Sequence, residues 1–305
     1  MNKRRIIIVS IAILVVVLGA MPLGCIGVGN KVAVISLNGS IQAEGSSLLF
    51  GGGTITPQLV RSQLDRAKGD EAVKAVVLHV ESPGGSVAAC QEIVSEIKQL
   101  RKPMVVSMGT LVASGGYFIS AKADKIVALP GTLTGSIGVI SEIPNVKGLF
   151  KKLGIEMEIF KGGKYKDMYA GVRELTPEER ELMQKMTDQI YDQFVRVVAE
   201  GRGLSEEKVR SLATGQLYTG EQAKELGLVD EIGGLQAAID LAAKLAGIEK
   251  PQVEYYKPEI PSLFSFLLGM SWEKLQSFIQ MRSLGAEGII LLETLSNPYP
   301  RPEYR

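Results

Sequence analysis

The chain has 305 residues, 46% of them hydrophobic and 22% charged, which is enough apolar material for one large globular domain or two modest ones. Its formal net charge of +1 gives no extended basic or acidic field, so nucleic acid is not an expected partner. Two cysteines, Cys25 and Cys90, exclude a disulfide framework and a cysteine-only zinc site, and a single histidine, His79, leaves little room for histidine chemistry.

The first 30 residues predict a cytoplasmic basic tip and a transmembrane anchor. Lys3, Arg4 and Arg5 precede a stretch that carries no charge before Lys31, and residues 6–28 are long enough to cross a bilayer as one helix. The basic cluster should stay in the cytoplasm, which places the remaining chain outside it in a single-pass topology at the cell membrane. A cleaved signal peptide and lipidation at Cys25 are open alternatives, and both also give an extracytoplasmic domain.

Residues 31–250 alternate strand patterns with helix patterns. A helix begins after Thr56, with Pro57 in its first turn, and a second helix follows the Gly84–Gly85 pair. Mostly apolar strands are predicted at 31–39, 74–80, 103–110, 125–131 and 155–163. Apolar strands that alternate with helices indicate an α/β domain with a buried, largely parallel sheet.

The helix that begins near residue 176 carries strong local signals. Thr176 is the predicted N-cap, Pro177 takes the first helical position and Glu179 completes a capping box. One face of this helix is apolar and is expected to be core, and its members are Leu182, Met183, Met186, Ile190, Phe194 and Val197. Residues 251–305 form an apolar, aromatic and finally Pro-rich appendage, expected to pack on a neighbour, the membrane surface or the main domain.

Paired glycines follow two of the predicted strands. Gly84 and Gly85 come after the strand at 74–80, and Ser114 precedes the Gly115–Gly116 pair after the strand at 103–110. The carboxyl ends of strands are where α/β folds bind ligands. The backbone N–H groups of Gly84, Gly85 and Gly115 can therefore form an oxyanion hole beside Ser114. One glycine pair also fits a plain turn, but two pairs at two strand ends favour catalysis.

A serine nucleophile needs a base, and the residues leave two kinds of base open. His79 lies inside an apolar strand pattern, where a structural histidine is the common case. A lysine becomes a base when burial disfavours its charged form, and Lys161, Lys164 and Lys166 all lie in one Gly-rich loop. Three lysines in a loop also describe a solvated surface, so composition does not choose among these side chains.

Three ordered motifs resemble the signal peptide peptidase family SppA. They are "SPGGSV" (82–87), "ASGGYFISAKADKIVALPGTLTGSIGV" (113–139) and "GKYKD" (163–167), and the resemblance covers about residues 31–245 as well as the anchored N-terminus. It implies a ClpP/crotonase-like fold of stacked βαβ units and a Ser/Lys dyad. The implied nucleophile is Ser114 and the implied base is Lys166, with Ser136 holding the lysine amine.

The same resemblance gives Gly85 and Gly115 as oxyanion donors, with Gly84 as the near alternative. Lys164 lies two residues before Lys166 and would point the same way on a strand, so the choice of Lys166 depends on the motif. The family implies a membrane-bound serine endopeptidase that cleaves hydrophobic peptides, chiefly remnant signal peptides, without a cofactor or metal. It also implies a homo-oligomer whose active sites are shared between protomers.

Two other functions fit the same fold. A crotonase-like acyl-CoA hydratase, isomerase or thioesterase also uses two backbone N–H donors, but its catalytic groups are usually carboxylates and it does not need Ser114. A non-catalytic membrane scaffold would be marked by loss of the nucleophile or the base, and both are present.

Overall fold

A central sheet of mostly parallel strands organises the computed structural model, which describes residues 30–44 and 53–256. Six parallel strands run across the sheet in the order β10-β1-β4-β5-β6-β9, β7 extends the pairing of β5, and β8 pairs antiparallel with β7. A separate parallel pair joins β2 to β3. The strands are β1 (Lys31–Asn38), β2 (Ser40–Ile41), β3 (Thr54–Ile55), β4 (Val73–Ser82), β5 (Met104–Ala113), β6 (Lys125–Ala128), β7 (Leu133–Gly135), β8 (Leu217–Thr219), β9 (Glu231–Ile232) and β10 (Gln252–Tyr256).

Both faces of the sheet are covered by helices, as the continuous apolar strands predict. In β1, Val32 and Val34 face one layer, and Ala33 and Ile35 face the other. Eight helices are described: α1 (Pro57–Gly69), α2 (Val87–Lys98), α3 (Gly115–Ser120), α4 (Lys147–Lys152), α5 (Pro177–Arg202), α6 (Glu206–Leu212), α7 (Gly220–Glu225) and α8 (Leu235–Leu245). The alanine-rich face of α8 covers one side of the sheet, and α1, α2, α3 and α5 contribute to the larger core on the other.

The local signals read from the sequence are confirmed at the helix starts. Thr56 Oγ1 accepts the N–H of Leu59 at the start of α1. At the start of α5, Thr176 and Glu179 form the predicted capping box with Pro177 in the first turn. Each side chain satisfies a backbone group that the first turn of a helix leaves unpaired.

The strand predicted at 155–163 is wrong for this chain. Ile155, Met157 and Ile159 alternate with glutamates as in a strand, but these residues pair with no other described strand and stay exposed. The core prediction for α5 is also mostly wrong: of its six residues only Phe194 is buried, Met186 is exposed, and the others are partly exposed, namely Leu182, Met183, Ile190 and Val197. A strand pattern shows which side chains share a face, but it does not supply the partner strand.

The sheet also extends past the predicted domain boundary at residue 250. Strand β10 pairs with β1 through five residues in register, from Lys31↔Gln252 to Ile35↔Tyr256. The rest of the predicted appendage and residues 1–29 of the predicted anchor lie outside the described residues. Among the described residues, no helix combines the length and the apolar character that crossing a bilayer requires.

Candidate active site

Ser114 occupies a sharp turn between β5 and α3. Its backbone has φ 51° and ψ −120°, and among the described residues only Ser114 and Ser136 are non-glycine residues with positive φ. Such conformations cost about 1–3 kcal/mol and are concentrated at functional sites. The Ser114 N–H donates to the carbonyl of Gly135 at 2.9 Å, and the Ser114 carbonyl accepts the N–H of Phe118 at 2.9 Å. The turn is therefore fixed on both sides.

The carboxyl ends of β5 and β7 bring Ser114 and Ser136 together. Ala113 pairs with Gly135 in parallel register, so the two serines are the next residues along neighbouring strands. Ser136 is half-buried, with φ 47°, and its N–H donates to the carbonyl of Gln216 at 2.8 Å. Two serines with positive φ thus leave the sheet side by side on neighbouring strands.

Two backbone N–H groups lie beside Ser114, one from Gly85 in the loop after β4 and one from Gly115 at the start of α3. A Cβ added to Gly115 would lie 3.1 Å from the nitrogen of Gly85, so these two backbone segments are in close contact. Neither the Gly85 nor the Gly115 N–H donates a hydrogen bond to another described residue. The Gly84 N–H already donates to Ser82 Oγ at 3.1 Å. Of the three glycines considered in the sequence, Gly85 and Gly115 therefore have N–H groups free to bind a ligand, whereas the Gly84 N–H is already bonded.

Strand β2 holds Gly85 in place. The Ile41 N–H donates to the carbonyl of Gly84 at 2.9 Å, and the Ser86 N–H donates to the carbonyl of Ile41 at 2.8 Å. Gly85 lies between these two bonds with φ 155°, and a Cβ there would meet the carbonyl oxygen of Ile41 at 2.0 Å. Only glycine fits this position without displacing β2.

A small pocket of about 30 Å³ opens beside Ser114. Its walls are apolar or backbone and comprise Gly85, Val87, Cys90, Ser114, Gly115, Phe118, Gly138, Val139, Ile190 and Phe194. Burial raises the pKa of the Cys90 thiol to about 12, so Cys90 is a neutral wall and not a competing nucleophile. Ile190 and Phe194 come from the apolar face of α5, which was predicted to be plain core. The pocket therefore suits a small apolar group.

The lysine loop lies at the N-terminus of α5, and its three lysines have different surroundings. Lys161 Nζ contacts Asp167 Oδ1 at 2.6 Å, and Lys164 pairs with Glu178. The exposed Lys166 side chain has no hydrogen bond or ion pair within residues 30–44 and 53–256. The structure does not join Lys166 to Ser114 or Ser136 within one chain. Of the three lysines, Lys166 has the uncommitted amine.

His79 does not line the pocket beside Ser114. It lies inside β4, where its Nδ1 is 3.3 Å from Ser107 Oγ on β5. Ser107 precedes Ser114 by seven residues along β5, so the histidine lies well before the carboxyl end of the sheet. The histidine alternative from the sequence is therefore not supported by the geometry.

Sequence reasoning missed a cluster of buried charges behind Lys166. Arg173 contacts both Asp167 and Glu179, whose side chains are only 8% and 3% exposed. The hydrogen bonds from Arg173 and Lys161 hold the pKa of Asp167 well below its ordinary range, and those from Arg173 and Thr176 lower the pKa of Glu179 to about 2. Of the two buried carboxylates, the sequence pattern had marked only Glu179, as the glutamate of the predicted capping box.

Comparison with known proteins identifies the family to which this chain is similar. Residues 96–249 match the model of peptidase family S49, and residues 53–134 match the model of Clp protease. A candidate signal peptide peptidase SppA from Enterococcus faecium is 39% identical over 254 residues, 81% of this chain and 74% of that protein.

Longer relatives match through a part of their length. Protease 4 of Salmonella typhi is 39% identical over 76% of this chain, and the chloroplastic serine protease SPPA of Arabidopsis thaliana is 35% identical over 74%. The chain spans 37% and 34% of those two proteins. The Clp protease match agrees with the layered α/β sheet described above. The chain belongs to peptidase family S49 and is a serine peptidase.

Proposed function

We propose that this serine peptidase cleaves hydrophobic peptides, such as remnant signal peptides, through an acyl-enzyme on Ser114 with Lys166 as the base. The observation that carries the proposal is the arrangement around Ser114. A strained serine stands beside two unpaired backbone N–H groups and opens onto an apolar pocket. This combination supplies a nucleophile, an oxyanion hole and a substrate subsite.

The chemistry follows from those groups. Ser114 Oγ attacks the peptide carbonyl while its proton passes to the neutral amine of Lys166, and the Gly85 and Gly115 N–H groups stabilise the oxyanion. The C–N bond then breaks as the lysine ammonium returns the proton to the leaving amine. A water molecule attacks the resulting ester with the same lysine as base, which releases the acid and restores the serine.

The base is proposed to come from a neighbouring protomer. Lys166 is exposed in the single chain, whereas a lysine amine acts as a base near neutral pH only after it loses contact with water. Packing the lysine loop against the Ser114 region of a second copy would remove that water and add Ser136 as a hydrogen-bond partner. The uncommitted amine of Lys166 supports its choice over Lys164.

An exposed apolar surface supports assembly of several copies. Between Ser136 and Lys166 the chain exposes large hydrophobic side chains, including Ile140 (82%) and Phe160 (91%). Others on the same segment are Leu149, Leu153, Ile155, Met157 and Ile159. Monomeric proteins rarely leave such a run uncovered. A second copy is the proposed occupant, because covering this segment would also bring Lys166 to a neighbouring chain.

A crotonase-like reaction fits this site less well. Such enzymes use carboxylates near the oxyanion donors, whereas no carboxylate lines the pocket beside Ser114 in the described part of the chain. A non-catalytic scaffold is disfavoured because the strained Ser114 turn carries a cost in stability that a scaffold does not need.

The oxyanion assignment predicts a large effect at Gly85. Gly85→Ala should lower kcat for a peptide substrate by about 100-fold or more, because the new Cβ collides with Ile41 and turns the N–H away. Gly131→Ala is the matched control, since no atom lies within 4 Å of its Cβ position. The test is to measure kcat by steady-state kinetics for both variants after establishing that they are folded. Parent-like kcat in folded Gly85→Ala would remove this donor from the mechanism.

The lysine assignment predicts that histidine is dispensable. His79→Gln should keep kcat within about threefold of the parent, because the side chain is committed to Ser107 inside the sheet. Circular dichroism establishes that the variant is folded before its kinetics are compared. Loss of activity in folded His79→Gln would restore a histidine base to consideration.

We also propose that the chain is anchored in the cell membrane with its catalytic domain outside the cytoplasm. The support is the uncharged stretch at residues 6–28 behind the basic residues Lys3, Arg4 and Arg5. In right-side-out vesicles, added protease should digest the domain from Lys31 onward and leave the N-terminal tip protected. Protection of the domain with digestion of the tip would reverse this topology.

The substrate proposal is tested with a library of hydrophobic peptides incubated with the full chain. Small apolar side chains on the acyl side of the cleaved bond should be preferred, because the pocket beside Ser114 is small and apolar. Preference for charged or large aromatic side chains at that position would contradict the proposed specificity.

A further inference from the structure

The Arg173 cluster, defined as Lys161, Asp167, Arg173 and Glu179, uses every donor of one guanidinium. Arg173 Nε and Nη2 donate to the two oxygens of Asp167 at 2.7 and 2.8 Å. Nη2 and Nη1 donate to the two oxygens of Glu179 at 2.6 and 2.8 Å. The last Nη1 donor reaches the carbonyl of Glu174 at 2.9 Å. All five N–H groups are satisfied, which a lysine at this position could not reproduce.

The two carboxylates belong to different parts of the chain. Asp167 directly follows Lys166 in the lysine loop, and Glu179 lies in the first turn of α5. Glu179 is itself fixed, because its Oε2 accepts the N–H of Thr176 at 2.8 Å in the capping box. Arg173 therefore connects the residue after Lys166 to a rigid helix start.

The turn that carries Lys166 has few other strong attachments. The Lys166 N–H makes only a long hydrogen bond, 3.3 Å to the carbonyl of Gly163, and the Met168 N–H makes an ordinary one, 3.1 Å to that of Tyr165. Tyr165 and Lys164 pair with the exposed Glu178. Asp167 and Met168 are buried, whereas Lys161, Lys164 and Lys166 are exposed. The turn is thus fixed through two adjacent buried residues, Asp167 by its ion pairs and Met168 by packing.

The charges in the cluster balance only when Arg173 is present. Lys161 and Arg173 together match Asp167 and Glu179, and both carboxylates have lowered pKa values because of these contacts. Removing the guanidinium leaves two nearly buried carboxylates with one lysine. A buried charge without its partner is costly, so the turn would rearrange to expose Asp167 to water.

We propose that Arg173 is a positioning residue for Lys166, fixing the turn that carries the lysine to the start of α5. This inference depends on the proposed role of Lys166 as the base. A misplacement of a catalytic group by about 1 Å can reduce a rate by about 100-fold. Arg173 itself touches neither the pocket nor Ser114, so its effect passes entirely through the turn.

The test compares Arg173→Gln with Arg210→Gln in the full chain. Arg210 is a matched control because it also contacts two carboxylates, Asp192 at 2.7 Å and Glu206 at 3.5 Å, away from the lysine loop. For a peptide substrate, Arg173→Gln should lower kcat by about 100-fold with KM changed less than about threefold. Arg210→Gln should leave both constants unchanged. Arg173→Lys should fall between the parent and Arg173→Gln.

A second readout is independent of activity. Amide hydrogen exchange should become faster across residues 161–173 in Arg173→Gln and stay unchanged there in Arg210→Gln. Parent-like kcat together with parent-like exchange in Arg173→Gln would overturn the inference, as would a uniform rise in exchange over the whole domain. If Arg173→Gln does not fold, the same two readouts on Arg173→Lys decide the question.

Lys166→Ala, measured in parallel, separates this inference from the proposed function. An active Lys166→Ala protein would refute Lys166 as the base, and the inference that depends on it would be refuted with it. An inactive Lys166→Ala protein beside a fully active Arg173→Gln protein would overturn the positioning role alone. The expected result is loss of activity in both, with faster exchange confined to residues 161–173 in Arg173→Gln.

Discussion

Ser114→Ala is expected to reduce kcat for peptide hydrolysis to less than about a thousandth of the parent value, because Ser114 is the only hydroxyl among the described residues that line the pocket and the Cys90 thiol there stays neutral. The fold should be unaffected. The Ser114 hydroxyl makes no hydrogen bond to another described residue, and its turn is held by backbone contacts with Gly135 and Phe118. Alanine has the same backbone cost at φ 51°.

The measurement pairs kinetics with thermal unfolding. The midpoint of thermal unfolding should match that of the parent closely, because loss of this hydroxyl should change the free energy of unfolding by less than about 0.5 kcal/mol. Ser136→Ala is a useful comparison, because it removes a hydroxyl from the neighbouring strained position and should weaken activity without abolishing it. More than a few per cent of parental activity in Ser114→Ala would contradict the nucleophile assignment.

Mixing two inactive variants is expected to restore activity. If Ser114 and Lys166 of one site come from adjacent protomers, random co-assembly of Ser114→Ala with Lys166→Ala gives each site an intact serine with probability one half. The neighbouring lysine is intact with the same probability, so about a quarter of the parental activity should return. Activity is measured after the two proteins are dissociated and reassembled together.

The control for the mixing experiment is Lys164→Ala. This variant changes a lysine two residues away that is paired with Glu178, and it should be active by itself. Mass spectrometry of the intact assembly, or a size tag on one variant, establishes that mixed assemblies have formed. A verified mixed assembly without activity would refute the shared site.

Much of the fold could be predicted from the sequence because its signals are local. The capping box at Thr176 and Glu179 depends on a three-residue spacing, and the central strands are marked by continuous β-branched runs. The glycine pairs identified the ends of β4 and β5. These patterns locate Ser114, Gly85 and Gly115 near each other because strands of one parallel sheet end at the same edge.

The remaining features depend on contacts that no local pattern contains. Arg173 lies six residues from both Asp167 and Glu179. The local sequence does not distinguish this buried cluster from exposed charged residues. The hydrogen bond from the Gly84 N–H to Ser82 Oγ could not be predicted from the sequence either. Residues 155–163 carry a strand pattern without a partner strand in the part of the chain that the structure describes, which the proposed assembly would explain through a second copy.

The most direct test of the central claim is covalent capture of the nucleophile. The full chain is treated with a serine-directed acylating probe, digested, and analysed by mass spectrometry to locate the label. One label is predicted, on Ser114, with labelling lost in Ser114→Ala, strongly slowed in Lys166→Ala and unchanged in Lys164→Ala. Labelling of Ser114→Ala at the parental rate, or a label placed on another residue, would contradict the account.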